Sequence, residues 1–136
     1  MGESCMPPTE AALLLLRKAA EDEALLDEVL GSSRVSDAIF GFHAQQSAEK
    51  LLKAALSQAS VLYPLTHRLG QLIDLIRDNG IEFPAEFDAL NLLTPFAVEF
   101  RYDAIPEEDE DPLNRQEARQ LLVRLRNWVE ARVLGV

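Results

Sequence analysis

The stretch FHAQQSAEKLLKAAL, residues 42 to 56, constrains the fold more than any other part of the chain. Turned at about 100° per residue, it and its flanks place Phe40, Ala44, Ala48, Leu51 and Ala55 in one sector and Ala38, Leu52 and Leu56 in the next. Together these sectors cover about half the circumference, wider than the stripe of a helix lying on one neighbour. A helix of that kind is central and is packed from several sides. His43, Gln46, Lys50 and Lys53 fall together on the remaining side. Gln45 and Glu49 project into or beside the apolar sector, where an unpaired polar group is costly. They therefore require specific partners within the fold or across an interface.

The rest of the chain supplies the neighbours. MGESCMPP, residues 1–8, reads as a disordered tail, and residues 9–136 as a single domain. Thr9 caps a first helix that runs to about Leu30 and is stopped by Gly31. Ser32 or Ser33 caps the central helix, which ends near Ser60. Tyr63 precedes a proline and so leaves the helical region. Thr66 caps a third helix that Asn79-Gly80 ends. Pro84 opens a fourth, running to about Tyr102 with a bend at Pro95. AIPEEDEDP is an acidic loop, and Leu113 or Asn114 opens a last helix that ends at Gly135. No alternating strand pattern, internal repeat or Gly-rich phosphate loop occurs. The expected fold is all-α, an up-and-down bundle of about five helices.

Composition narrows the function classes. The net charge of −10 opposes a broad nucleic-acid surface, which needs clustered Lys and Arg. It favours basic or apolar protein partners. No apolar run approaches the roughly 20 residues that span a bilayer, and no positive segment opens the chain, so the expectation is a cytoplasmic protein with no membrane association. The single cysteine, Cys5, allows no internal disulfide and no paired metal ligands. The pentad Glu107 to Asp111 reads as a solvated loop rather than a coordination site, so no metal or cofactor is expected.

Three motifs carry a resemblance. Gln45 to Lys53 follows the pattern Gln-Gln-x-Ala-Glu-Lys-x-x-Lys, Thr66 to Leu69 reads Thr-His-x-Leu, and Arg101-Tyr102 closes the fourth helix. From about Leu13 to Val133 the chain resembles the HEPN domain of prokaryotes. The resemblance implies a helical bundle that dimerises. It also implies one of two settings: pairing with a minimal nucleotidyltransferase in a toxin–antitoxin-like system, or metal-independent ribonuclease activity from an Arg followed four to six residues later by His. Here Arg101 supplies the arginine, but Pro106, Glu107 and Glu108 occupy the histidine positions. Proton transfer at neutral pH is suited to histidine, and neither His43 nor His67 follows Arg101. The expectation is therefore a dimeric interaction module paired with a nucleotidyltransferase. The alternative is an RNA- or nucleotide-binding protein, a degenerate ribonuclease.

Residue roles follow from these two readings. Gln45, Glu49 and His67 are expected to form a buried polar network between the second and third helices. Lys50, Lys53, Arg101, Tyr102, Arg115 and Arg119 are the candidates for nucleotide or RNA contact. Arg115, Arg119 and Arg126 lie within about 40° of one another on the last helix. In so acidic a chain, pairing with Asp and Glu is the more frequent use of such a stripe.

Overall fold

The computed structural model describes residues 7–97 and 113–136. Four α-helices and one 3-10 segment occur among the described residues: α1 Glu10–Val29, α2 Asp37–Gln58, α3 Leu69–Asp78, the 3-10 segment Ala85–Phe96, and α4 Arg115–Leu134. No strand occurs among these residues. The chain is an all-α bundle, and α2 packs against each of the other four elements. Phe40, Ala44, Ala48, Leu51, Leu52, Ala55 and Leu56 are all buried, so the wide apolar face of α2 is the centre of the core.

Local chemistry sets most of the ends. Thr9 Oγ1 accepts from the Ala12 amide at 3.1 Å, and Asn114 Oδ1 from the Glu117 amide at 3.0 Å; both are N-caps. α4 ends at Gly135 with φ 74°, the left-handed residue that closes a helix and favours glycine. The segment ahead of α1 is tied down from Pro7 onward. Gln58 Nε2 donates to the Pro7 carbonyl, and the Thr9 amide donates to Gln58 Oε1.

Three boundaries differ from the sequence expectation. The second helix was expected to begin after Ser32 or Ser33, but Ser36 is the cap and Asp37 the first helical residue. Arg115 explains the delay: its guanidinium donates to the carbonyls of Val29, Ser32 and Val35, holding the intervening chain open. Thr66 does not cap the third helix. Its hydroxyl accepts from the Arg68 amide at 3.1 Å, one step early, and α3 begins at Leu69. The fourth helix is a 3-10 segment rather than an α-helix. Its buried side chains Phe87, Leu90, Leu93 and Phe96 recur every third residue, and a three-residue turn stacks them on one line. Pro95, without an amide hydrogen, sits near its end. The part expected to continue to Tyr102 lies outside the described residues.

The 3-10 segment docks on α2 at a glycine. A Cβ on Gly41 would lie 2.4 Å from the Phe96 ring, so the ring rests directly on the α2 backbone. Arg77 braces the turn before this segment, donating to Asp88 at 2.9 Å and to the Phe83 carbonyl at 3.2 Å.

Candidate functional site

The polar side of α2 holds two clusters, each built around one carboxylate. In the first, Glu49 accepts from Gln45 Nε2 at 3.0 Å, from Lys53 Nζ at 2.7 Å and from His67 Nδ1 at 3.0 Å. Gln45 and Lys53 are one turn to either side of Glu49, so the helix alone brings those three together. His67 comes from the α2–α3 loop. Gln45 Nε2 also donates to the His67 carbonyl at 2.9 Å, so one amide holds both the loop backbone and the carboxylate. Gln46 extends the chain of bonds by donating to Gln45 Oε1 at 2.9 Å.

Electrostatics in this cluster favour an ionised Glu49. Burial pushes its carboxyl up, but hydrogen bonds from Lys53, His67 and Gln45 and the Lys53 charge outweigh burial and hold it below its ordinary value. An ionised carboxylate accepts only, so His67 carries its proton on Nδ1. The ring is otherwise open, with the side chain 65% exposed.

In the second cluster, Asp22 of α1 accepts from His43 Nδ1 at 3.0 Å and from Lys50 Nζ at 2.6 Å. The repeated grouping of carboxylate, histidine and lysine was not foreseen. The available signal was His43 and Lys50 seven residues apart on one face of α2, and Asp22 at the centre of the acidic run Glu21-Asp22-Glu23 of α1.

The arginine stripe of α4 is occupied from α1 and the following loop. Arg119 makes a two-pronged pair with Asp27 at 2.6 and 3.1 Å and reaches Glu23 at 3.4 Å. Arg126 binds Glu23, Glu130 and the Leu16 carbonyl. Arg115 pairs with Asp37 at 2.8 Å besides the carbonyls of Val29 at the end of α1 and of Ser32 and Val35 in the loop, and its guanidinium lies 5.2 Å from the Phe40 ring centroid. The hydrogen bond to Asp27 raises the Arg119 pKa above its ordinary value. For Arg126, burial works against the charge, and the Glu23 carboxylate more than restores it.

The structure thus brings Gln45, Glu49 and His67 together and adds Lys53 to them. It separates Lys50 from Lys53, each on its own carboxylate. Arg115 and Arg119 point at α1, its loop and the α2 N-terminus. Arg101, Tyr102 and Glu107 to Asp111 lie outside the described residues. Among the described residues, no three His, Cys, Asp or Glu are grouped to hold a metal ion. No helix among them is long and apolar enough to cross a membrane.

The loop that carries His67 has one further property. Leu62 and Leu65 are 94% and 102% exposed, more than any other large apolar side chain among the described residues.

A family model described as "HEPN domain" matches residues 12–134. No curated protein and no solved structure matches the chain.

Proposed function

The chain belongs to the HEPN family, and from that premise we propose that it acts as a dimeric interaction module paired with a minimal nucleotidyltransferase in a toxin–antitoxin-like system. One observation carries the reading. Each basic candidate among the described residues already has a carboxylate from its own chain: Lys50 has Asp22, Lys53 has Glu49, Arg115 has Asp37 and Arg119 has Asp27. A phosphate would have to displace these pairs against a net charge of −10. Protein association needs no such exchange, and exposed Leu62 and Leu65 suit it. The test is co-expression with a short nucleotidyltransferase encoded beside this gene, followed by size-exclusion chromatography. Co-elution in fixed stoichiometry is expected. Separate elution of the two proteins, or the absence of any such neighbour, rules out the pairing.

The second reading, an RNA- or nucleotide-handling protein, has one feature in its favour. His67 has Nδ1 held by an ionised carboxylate and a largely exposed ring, which leaves Nε2 free to accept a proton. A single-turnover assay on structured and single-stranded RNA, with chelator present, separates the two readings. Comparison of the native protein with Arg101→Ala and His67→Ala should show no cleavage in any of them. Cleavage by the native protein that either substitution abolishes establishes the second reading instead.

A further inference from the structure

We infer that the loop 61–68 and the groove beside Arg68 form a docking surface for a short apolar segment of another protein that carries a single carboxylate. This rests on the reading of the chain as an interaction module and names both the surface and the chemistry of the segment it takes.

The apolar half is the loop, where Leu62 and Leu65 are 94% and 102% exposed. The backbone that presents them is held along its length. The Val61 amide donates to the Leu56 carbonyl at 2.9 Å, and the Tyr63 hydroxyl lies 3.5 Å from Ser57 Oγ. At the far end, Gln45 holds the His67 carbonyl and Glu49 holds the His67 ring. Pro64 removes further backbone freedom. Binding therefore immobilises little that is not already fixed.

The polar half follows in the next residues. The Arg68 amide donates to Thr66 Oγ1 at 3.1 Å, which sets the backbone from which its side chain leaves. Arg68 is exposed and has no ion pair among the described residues. No side chain caps α3, and its first hydrogen bonds run from the Gln71 and Leu72 amides to the Arg68 carbonyl. The Leu69 and Gly70 amides are thus left without an acceptor among the described residues, at the positive end of the helix. Arg68 and Gly70 line a groove of about 700 Å³ between α3 and the 3-10 segment. Thr94 lines the same groove, and its hydroxyl is buried without a partner among the described residues. A guanidinium, a free helix amide and an unmatched hydroxyl all donate to an oxyanion, so the groove calls for an acceptor from outside.

Charge decides what brings that acceptor. From Lys50 to Ile73 the sequence contains no Asp or Glu. Lys50 and Lys53 are paired with Asp22 and Glu49, so Arg68 is the full positive charge that this interval leaves unmatched. One such charge on a molecule of net charge −10 attracts a single carboxylate at short range, while the whole molecule repels a polyanion. Asp74, one turn beyond Gly70, also lines the groove and further limits it to one anionic group. Nucleic acid would in addition leave Leu62 and Leu65 in water. A protein segment with apolar side chains beside one carboxylate satisfies both halves: the leucines supply buried area, and Arg68 with the α3 amides fixes orientation.

Short random peptides displayed on phage and selected on the immobilised full chain supply the probe. Enriched peptides should combine large apolar residues with one Asp or Glu. Their affinity for the native protein, read by fluorescence anisotropy, should fall about tenfold or more in Leu65→Ser and in Arg68→Gln. It should not change in Leu14→Ser, at an exposed leucine of α1. Converting the peptide carboxylate to its amide should weaken binding to the native protein and leave binding to Arg68→Gln unchanged, the sign that the two groups meet. Circular dichroism of the three variants should match the native spectrum, as all three positions face solvent. No enrichment, a basic consensus, or affinities indifferent to Leu65 and Arg68 overturn the surface. A native homodimer that Leu65→Ser dissociates gives the surface to a second copy and overturns it as well. Co-elution with the nucleotidyltransferase that persists in both variants overturns the surface and leaves the pairing standing. Separate elution overturns the pairing, and the peptides still decide the surface.

Discussion

Replacing Glu49 with alanine removes the acceptor shared by three donors, and the structure sets how much each loses. Gln45 is fully buried but keeps the His67 carbonyl as an acceptor, so its loss is partial. His67 is largely exposed, and water replaces the carboxylate at little cost. Lys53 loses most. Its side chain is 14% exposed, its ammonium has no second acceptor among the described residues, and a charged hydrogen bond contributes about 1.5–3 kcal/mol. Released from Glu49, it regains part of this by turning toward water. The expected destabilisation is about 2 kcal/mol, within the roughly 1–3 kcal/mol range for leaving a buried polar partner unmatched. At roughly 4 °C per kcal/mol for a chain of this size, the Tm falls by about 8 °C. Thermal unfolding followed by circular dichroism measures it, with Glu21→Ala as control. Glu21 pairs with Lys18 at 3.9 Å on the surface, where such pairs contribute under about 1 kcal/mol. The pH dependence adds a second readout. The Glu49 carboxyl lies below its ordinary 4.5 in the folded protein, so its contribution is complete above that value and disappears as pH falls through the lower folded value. Glu49→Gln should therefore flatten the acid limb of the stability profile and change little in its shape at neutral pH. A Glu49→Ala melting curve that overlays the native one refutes the reasoning, because it means the carboxylate is solvated.

Other substitutions test other joints of the structure. Gly41→Ala should destabilise by about 1–3 kcal/mol, because the new methyl meets the Phe96 ring at 2.4 Å; an unchanged Tm shows that the ring does not rest there. Ser47→Ala should leave stability unchanged or raise it by up to about 1 kcal/mol, because Ser47 Oγ is buried without a partner among the described residues. A drop in Tm reveals a partner for that hydroxyl. Arg115→Lys should destabilise by about 2 kcal/mol, because an ammonium cannot reach Asp37 and the Val29, Ser32 and Val35 carbonyls at once; a variant as stable as the native protein shows that the loop holds without the fork.

How far the structure was legible in the sequence differs from element to element. The central helix was legible because Phe40, Ala44, Ala48, Leu51 and Ala55 repeat at helical spacing, and burial enforces that spacing. Gln45 and Glu49 stood out because they were polar where the wheel demanded apolar. A buried polar group announces its need for a partner but not the partner's address, so His67 had to come from its neighbouring motif. Asp22 was invisible by the same logic, since nothing in α1 says which residue of α2 it will face. The late start of α2 depended on Arg115, about eighty positions away in the chain, and no local signal contains that. The 3-10 segment was legible and passed over: Phe87, Leu90, Leu93 and Phe96 recur every three residues, whereas an α-helix prefers alternating steps of three and four.

Hydrogen exchange on the loop tests most directly whether the polar network of α2 serves to hold residues 61–68. Peptides covering 61–68 and 50–58 are compared in the native protein and in Glu49→Ala under conditions where both are folded. Without its anchor the loop should exchange about tenfold faster, equivalent to about 1.4 kcal/mol of lost local stability, while the α2 peptide stays protected. Equal exchange of the loop in both proteins contradicts the account. It would mean that Glu49 and His67 are joined for some purpose other than positioning Leu62 and Leu65.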